Sequence, residues 1–487
     1  MGILHARVKR SLLLCLLVGV APGCTSGSRP GTTAPPASES RPTEGVPLSP
    51  ASEPRAVTTD AAAPITAVCP PIDEAKIRAP VCDDSILTTP IPPIIDGERS
   101  LATFYEAYAA LARGTAKEHV RLAMYGDSNL TMDELTGRMR RELQKRFGDA
   151  GHGFVALAIP WHWYQHQDVH HDGQWDHFKQ IATSTDPVGD WHYGMAMMAS
   201  ESKKPGGSVW VATADAGTPI GGAASSFDIF FLKRPGGGEF DLVADGNVLR
   251  TVSAKSTKAE LGIEHVELPD GPHKLACAVK STAPVRFFGA TLERPADEMS
   301  VAAGRPAEGM STPSIIVDSL GTGALNFVQI SYTKKETRTP MLQRRGYKLV
   351  MFQVGTNTFM LERHKDDVKR FLAEIRETLP GVSILIMTPP DVMNSWNDPH
   401  SDRRIVLVAK QLREIAAETG SAFWDYREAM GGDTSIKTFI KKGLAAGDKI
   451  HLKKQGSELM ADRFLCAMEK DFRGWLEEHP DAGCNTR

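Results

Sequence analysis

Paired cysteines, a membrane-length apolar run and net charge are all scarce in this chain of 487 residues. None of the seven cysteines forms a CxxC pair, so no paired-cysteine zinc pattern is present. Lys and Arg (56) nearly balance Asp and Glu (59), and the net charge of −3 gives no broad electrostatic reason to expect nucleic acid as a partner. The apolar run at the start, Ser11 to Ala21, is too short to anchor stably across a bilayer, which takes about 20 apolar residues. The length exceeds what one core supports and implies two or three domains plus tails.

That apolar run follows a basic stretch (His5, Arg7, Lys9, Arg10), the layout of an export signal over 1–23. It ends in Ala21-Pro22-Gly23-Cys24, which resembles the cleavage box of bacterial lipoproteins, although Pro22 departs from the usual pattern. The resemblance implies lipidation of Cys24. Thr25 in the next position resembles lipoproteins sorted to an outer membrane, facing the periplasm. Residues 24–68 are rich in Ser, Thr, Pro, Gly and Ala and bury too little apolar surface to offset their entropy, so a disordered tether is expected. In an oxidising compartment, Cys69–Cys82 and Cys466–Cys484 are the local disulfides to expect. Cys277, alternating with Leu275 and Val279, reads as a buried free thiol.

After a Pro-rich cuff and a helix over 101–113, Val120 to Tyr125 reads as a buried strand. Gly126 breaks it, Asp127-Ser128-Asn129 forms a polar turn, and Met132, Leu135, Met139, Leu143 and Phe147 mark one face of a following helix. A helix starting at that turn would offer its N-terminus to an anion. Residues 151–193, rich in His, Trp, Tyr and Gly, read as long loops. From about 208 to 293, short strand-like runs separated by Gly-rich turns indicate an inserted β-sandwich. Alternating strands and helices then return. The expected organisation is an α/β domain with a parallel sheet, in two parts (69–199 and 299–487), interrupted by an all-β insertion over 200–298.

Three loops at strand ends, Gly126-Asp127-Ser128, Gly321-Thr322-Gly323 and Gly355-Thr356-Asn357, join Asp448-Lys449-Ile450-His451 ahead of the last helix. Acyl transfer needs a hydroxyl, a base, a group orienting the base, and donors for the oxyanion. Ser128, His451, Asp448 and donors from Gly323 and Asn357 fill those roles. Taken singly, Ser128 suits a helix N-cap and Asn357 a turn equally well.

The ordered set Gly-Asp-Ser, Gly, Gly-x-Asn and Asp-x-x-His resembles the SGNH (GDSL-like) hydrolase superfamily. The resemblance implies a three-layer, flavodoxin-like fold with Ser128 as nucleophile and first oxyanion donor. It makes Gly323 the second donor, with Gly321 an alternative, and Asn357 the third. His451 becomes the base and Asp448 its orienting partner, with no cofactor and no metal. A narrower match, through Thr136-Gly137-Arg138, Phe147 to Phe154 and Phe288 to Arg294, is similar to bacterial peptidoglycan O-acetylesterases, in which the insertion is like a carbohydrate-binding module. Those relatives usually carry His after the nucleophile, where this chain has Asn129, so Asn129 and Gly321 are candidate substrate contacts. The implied protein is a monomeric serine esterase acting on an acetylated glycan, most closely O-acetylated peptidoglycan, and held to a membrane by its lipid. An O-acetyltransferase, an acetylxylan-type esterase and a non-catalytic wall-binding lipoprotein are the competing readings. His162, His166, His170, His171 and His177 are expected in loops that, with Trp161, Trp163, Tyr164 and Trp175, wall a cleft.

Overall fold

The strand Val120–Gly126 (β1) sits one place in from the edge of a five-stranded parallel sheet and supplies a side chain alternately to each of two cores. The computed structural model describes residues 69–79, 86–183, 189–297, 306–358 and 361–484, except for the side chain of Trp175. The export signal, the tether, Cys24 and Cys82 lie outside the described residues. Among the described residues no helix is long and apolar enough to cross a membrane.

The chain runs through α1 (Ala102–Arg113), β1 and α2 (Glu134–Phe147), then eleven antiparallel strands. These are β2 (Gly151–Val155), β3 (His170–Gly173), β4 (Lys179–Ala182), β5 (Met198–Ser202), β6 (Ser208–Ala212) and β7 (Ala224–Lys233), followed by β8 (Glu239–Ala244), β9 (Asn247–Ser253), β10 (Glu260–Gly271), β11 (Lys274–Val279) and β12 (Val285–Glu293). The α/β alternation resumes with β13 (Ile315–Gly321), α3 (Phe327–Ser331), α4 (Lys335–Arg345), β14 (Leu349–Gln353), α5 (Lys365–Thr378), β15 (Ser383–Met387), α6 (Arg403–Glu418) and β16 (Ala422–Trp424). Helices α7 (Tyr426–Met430), α8 (Ser435–Lys441) and α9 (Lys454–Glu478) complete the order.

The parallel strands lie in the order β13-β1-β14-β15-β16, the flavodoxin-like 2-1-3-4-5 arrangement. Leu122 and Met124 of β1 face a core with α1, α2 and α9, while Ala123 and Tyr125 face the core with α3 to α6. Tyr125 stacks on its register neighbour Phe352 of β14, ring centroids 5.1 Å apart. Both faces are covered, as a parallel sheet requires.

The antiparallel strands form two sheets, β10-β7-β12-β5-β4 with β2 also on β12, and β3-β6-β11-β8-β9. Their facing side chains, among them Phe227, Phe231, Phe240, Leu275 and Phe287, close a core of their own. The free Cys277 is buried in it. The other face of the first sheet, through Phe230, Leu232 and Phe288, joins the core of the α/β layers. The region expected to be long loops contributes β2, β3 and β4, because their strand residues are short, polar or glycine-rich and show no apolar alternation.

A buried charge network crosses between the two parts. Asp318 of β13 accepts from the Phe154 amide of β2 (2.8 Å), from Tyr347 Oη (2.6 Å) and from Arg345 Nε (2.8 Å). Arg345 also pairs with Glu293 of β12, which in turn holds Arg121 at 2.6 Å.

The disulfide pattern differs from the local pairs expected. Cys69 bonds Cys484, 415 residues away, with Cα atoms 5.3 Å apart, within the range a disulfide requires. Cys466 is itself disulfide-bonded and therefore not to Cys484. The reason is the packing of the chain ends. Arg113, at the end of α1, donates to the carbonyls of Ala482 (2.7 Å) and Pro480 (2.6 Å) and to that of Pro70, bringing the two segments together.

Candidate active site

β1 and β13 run in register to their last residues, Gly126 opposite Gly321. A side chain at Gly321 would meet the Leu130 backbone at 2.7 Å, so this glycine lets the loop after β1 fold across the neighbouring strand end. That loop carries Ser128 at the carboxyl edge of the sheet, where open α/β sheets bind their ligands. Helix α2 begins only at Glu134. The turn through 127–133 separates Ser128 from the helix N-terminus, so the helix-end anion site expected from the periodicity does not form at the serine. Met132 falls in this turn and is exposed.

Asp127 supports the loop. Its buried carboxylate accepts the Asn129 amide at 3.1 Å, and burial pushes its pKa up. The Leu130 amide donates to the Asp127 carbonyl (2.9 Å) and Thr131 Oγ1 to the Ser128 carbonyl (2.9 Å), so the turn is closed by its own hydrogen bonds.

Ser128 Oγ lies 2.9 Å from His451 Nε2, and His451 Nδ1 lies 2.7 Å from Asp448 Oδ2. Asp448 Oδ1 also accepts the backbone amides of Ile450 (2.9 Å) and His451 (3.1 Å). Between them Lys449 takes φ 66°, a left-handed conformation that doubles the chain back so that a carboxylate three residues upstream reaches the imidazole. Burial acts to raise the Asp448 pKa, but the hydrogen bonds from His451 and the two amides outweigh it and hold the carboxyl below its ordinary value. Asp448 therefore accepts from His451 Nδ1–H, leaving Nε2 as the lone-pair nitrogen toward the serine.

Asn357 follows β14, beside β1. Its side-chain Nδ2 is shielded from water and has no acceptor among the described residues. An unpaired buried amide is costly unless a ligand completes it. Gly323 follows β13 and lies against the indole of Trp161. His162 links Trp161 to Trp163, with ring centroids 4.9 and 4.1 Å away, and the Trp163 ring stands edge-on to His451 at 6.3 Å. Trp163 is 54% exposed. These aromatic contacts with the loops bearing His451 and Gly323 were not legible from spacing; only the density of aromatics hinted at them.

Other sequence-marked residues are placed differently. His166 is buried rather than lining a cleft, bonded to His152 (2.7 Å) and Tyr164 (2.5 Å), and the half-buried His171 bonds the Ala158 carbonyl (2.8 Å). His170 is at the surface with Asp215. Asn129, expected to face substrate, turns its side chain onto the backbone beside His451. Asp133, His152 and His166 bring donor atoms within 4.8 Å of one another, the spacing of a metal site. Asp133, however, already accepts both Arg140 Nη1 (2.8 Å) and Nη2 (3.1 Å), so a guanidinium occupies the position that a cation would contest.

No protein-family model matches the chain, and no curated protein matches it in sequence. A solved structure described as a peptidoglycan O-acetylesterase in action, 5 min, is similar at a TM-score of 0.62 and 22% identity, covering 78% of this chain and 99% of that one. An active site mutant of a family two carbohydrate esterase from Clostridium thermocellum covers 63% and 99% at 13% identity, with a TM-score of 0.25. A family two carbohydrate esterase from Cellvibrio japonicus covers 66% and 98% at 12% identity, with a TM-score of 0.23. The first likeness establishes a shared fold, the α/β sheet with its antiparallel β part; the other two are too weak to add to it.

Proposed function

We propose that the chain is a serine esterase that removes O-acetyl groups from a cell-wall glycan, with O-acetylated peptidoglycan as the substrate. The observation that carries the reading is the continuous hydrogen-bonded chain Ser128–His451–Asp448 at the carboxyl edge of the sheet, beside an Asn357 amide with no acceptor. The fold shared with a peptidoglycan O-acetylesterase supports the choice of glycan.

In this mechanism His451 Nε2 takes the Ser128 hydroxyl proton as Oγ attacks the acetyl carbonyl carbon. The carbonyl π-electrons move to oxygen, and the oxyanion is met by the Ser128 amide, Asn357 Nδ2 and the Gly323 amide. Collapse breaks the bond to the glycan oxygen, which leaves with the proton from His451. Water then gives a proton to His451 and attacks the acetyl-serine, and acetate departs as Ser128 regains its proton. Trp163, exposed beside the base, offers a face on which a sugar ring can stack.

The same reading places the protein outside the cytoplasm, bound through Cys24 to an outer membrane and reaching the wall on residues 24–68. The Cys69–Cys484 disulfide supports an oxidising location. The test is acetate released from O-acetylated peptidoglycan and from acetylated xylan by the wild type and by Ser128→Ala. Release from peptidoglycan by the wild type alone is expected. Equal release by both proteins excludes the serine mechanism, and release from xylan alone reassigns the glycan.

A further inference from the structure

Ser128 and His451 belong to loops 323 residues apart, and the serine–imidazole bond is one of several contacts between them. Asn129 makes two more. Its side-chain Oδ1 accepts the Leu452 amide at 2.9 Å, and its Nδ2 reaches the Ile450 carbonyl at 3.5 Å. The two backbone groups flank His451 on either side. The Leu452 N–H requires an acceptor, which fixes the orientation of the amide and turns Nδ2 toward Ile450. The backbone amide of Asn129 is meanwhile held by Asp127, so the residue is pinned to the nucleophile loop. The His451 carbonyl is held by the Ala446 amide at 2.8 Å.

From this geometry we infer that Asn129 is a positioning residue, whose side chain clamps the His451 loop to the loop that carries Ser128. The inference rests on the esterase reading above. The Asp448–His451 pair lies within one exposed turn and orients the ring relative to that turn alone. The Asn129 bridge sets where the turn sits relative to the serine. Its placement directly after the nucleophile means that a single dipeptide carries both the attacking oxygen and the bracket for its base. A misplacement of about 1 Å between reacting groups costs on the order of 100-fold in rate, so a short bridge across this gap acts on kcat.

The clamp also accounts for asparagine in this position. Asparagine supplies an acceptor for Leu452 N–H and a donor for the Ile450 carbonyl from one planar group. Alanine supplies neither. Aspartate keeps the acceptor, loses the donor and adds negative charge close to the imidazole, favouring its protonated form.

The experiment compares wild type, Asn129→Ala, Asn129→Asp and Ser128→Ala. It uses an aryl acetate, a small probe that needs no glycan contact, together with low-field imidazole proton NMR of His451 and thermal unfolding. The expected result for Asn129→Ala is a kcat about 10- to 100-fold lower, little change in KM, and a weakened or broadened low-field proton signal. Asn129→Asp, with the 2.9 Å acceptor kept, is expected to recover most of kcat at high pH, with the acid limb of the profile moved to higher pH. Wild-type kcat and an unaltered proton signal in Asn129→Ala overturn the clamp. So does a rise in KM at constant kcat, which makes Asn129 a substrate contact. If Asn129→Ala fails to fold, Asn129→Asp decides alone through its pH profile, an unmoved acid limb overturning the clamp. Failure of the esterase reading looks different: wild type and Ser128→Ala then turn over the probe equally, while the NMR comparison still reports on the clamp.

Discussion

Trp161 and Gly323 are mutually exclusive with any side chain at the glycine: a Cβ there would lie 1.9 Å from the indole Cε2. The loop after β13 is therefore pressed beneath an aromatic ring belonging to the loop after β2. Gly323→Ala must displace either the indole or the Gly323 amide. The expected outcome is a kcat for an aryl acetate about 100-fold lower, the loss of one oxyanion donor. The double variant Gly323→Ala/Trp161→Ala removes the clash and is expected to recover part of that loss, as steady-state kinetics would show.

Asn357, the side-chain donor proposed for the oxyanion, can be tested alone. Asn357→Ala is expected to cost about 2.7–4 kcal/mol of barrier in kcat, with KM little changed. Asn357→Asp is expected to be no better, because an ionised carboxylate accepts hydrogen bonds and donates none. Equal kinetics for wild type and Asn357→Ala would remove this residue from the oxyanion site.

The buried histidines make stability depend on pH. Burial lowers the pKa of His152, and burial, opposed by Asp133, pushes that of His166 down to about 3. The unfolded chain takes up these protons near pH 6.5, whereas the folded protein does not. Stability is thus full above about pH 6.5 and falls as pH drops from there toward the folded values, at about 1.4 kcal/mol per pH unit for each such histidine. Urea unfolding at pH 7.5, 6 and 5 measures the slope; a flat profile would mean that the cluster is open to protons in the native state.

The Cys69–Cys484 bond closes nearly the whole described chain into a loop. Its removal by Cys484→Ser is expected to cost about 2–5 kcal/mol of stability, by the chain-entropy account. Since the bond lies in the end segments packed on α1, kcat for an aryl acetate is expected to hold. Denaturant unfolding and steady-state kinetics on the same preparation separate the two effects.

The regular part of this fold was plain in the sequence because each element shows its face. Leu135, Met139, Leu143 and Phe147 fall on one side of α2, and the last helix, expected just after His451, runs from Lys454 to Glu478. Helix α4 was invisible for a physical reason. It holds Pro340 and four basic residues, which read as solvated chain, yet Arg338 and Arg345 are buried because Glu374, Asp318 and Glu293 pair with them. Strands β2 to β4 were missed likewise: glycine and histidine break the alternation in β2 and β3, and β4 is only four residues long.

Legibility at the candidate site followed the same division. Ser128, Asp448 and His451 could be proposed because acyl chemistry demands a hydroxyl, a base and a group to orient the base, and the structure brings all three together. What spacing could not convey is contact between loops far apart in sequence. The bridge from Asn129 to Leu452 and the seat of Trp161 on Gly323 both belong to that kind. Cys69 and Cys484 are the third case, where nearness in sequence favoured the wrong partners.

The joined chain ends have a directional consequence. Cys69 and Cys484 are held near the last turn of α1, where Thr115 Oγ1 also donates to the Gly483 carbonyl, shortly before β1 begins. Ser128 lies past the other end of that same strand. The described chain thus begins and ends on the side of the sheet opposite the serine. A load applied to the chain at Cys69 is therefore borne by the disulfide and the contacts on α1, and not by the loops that carry Ser128 and His451.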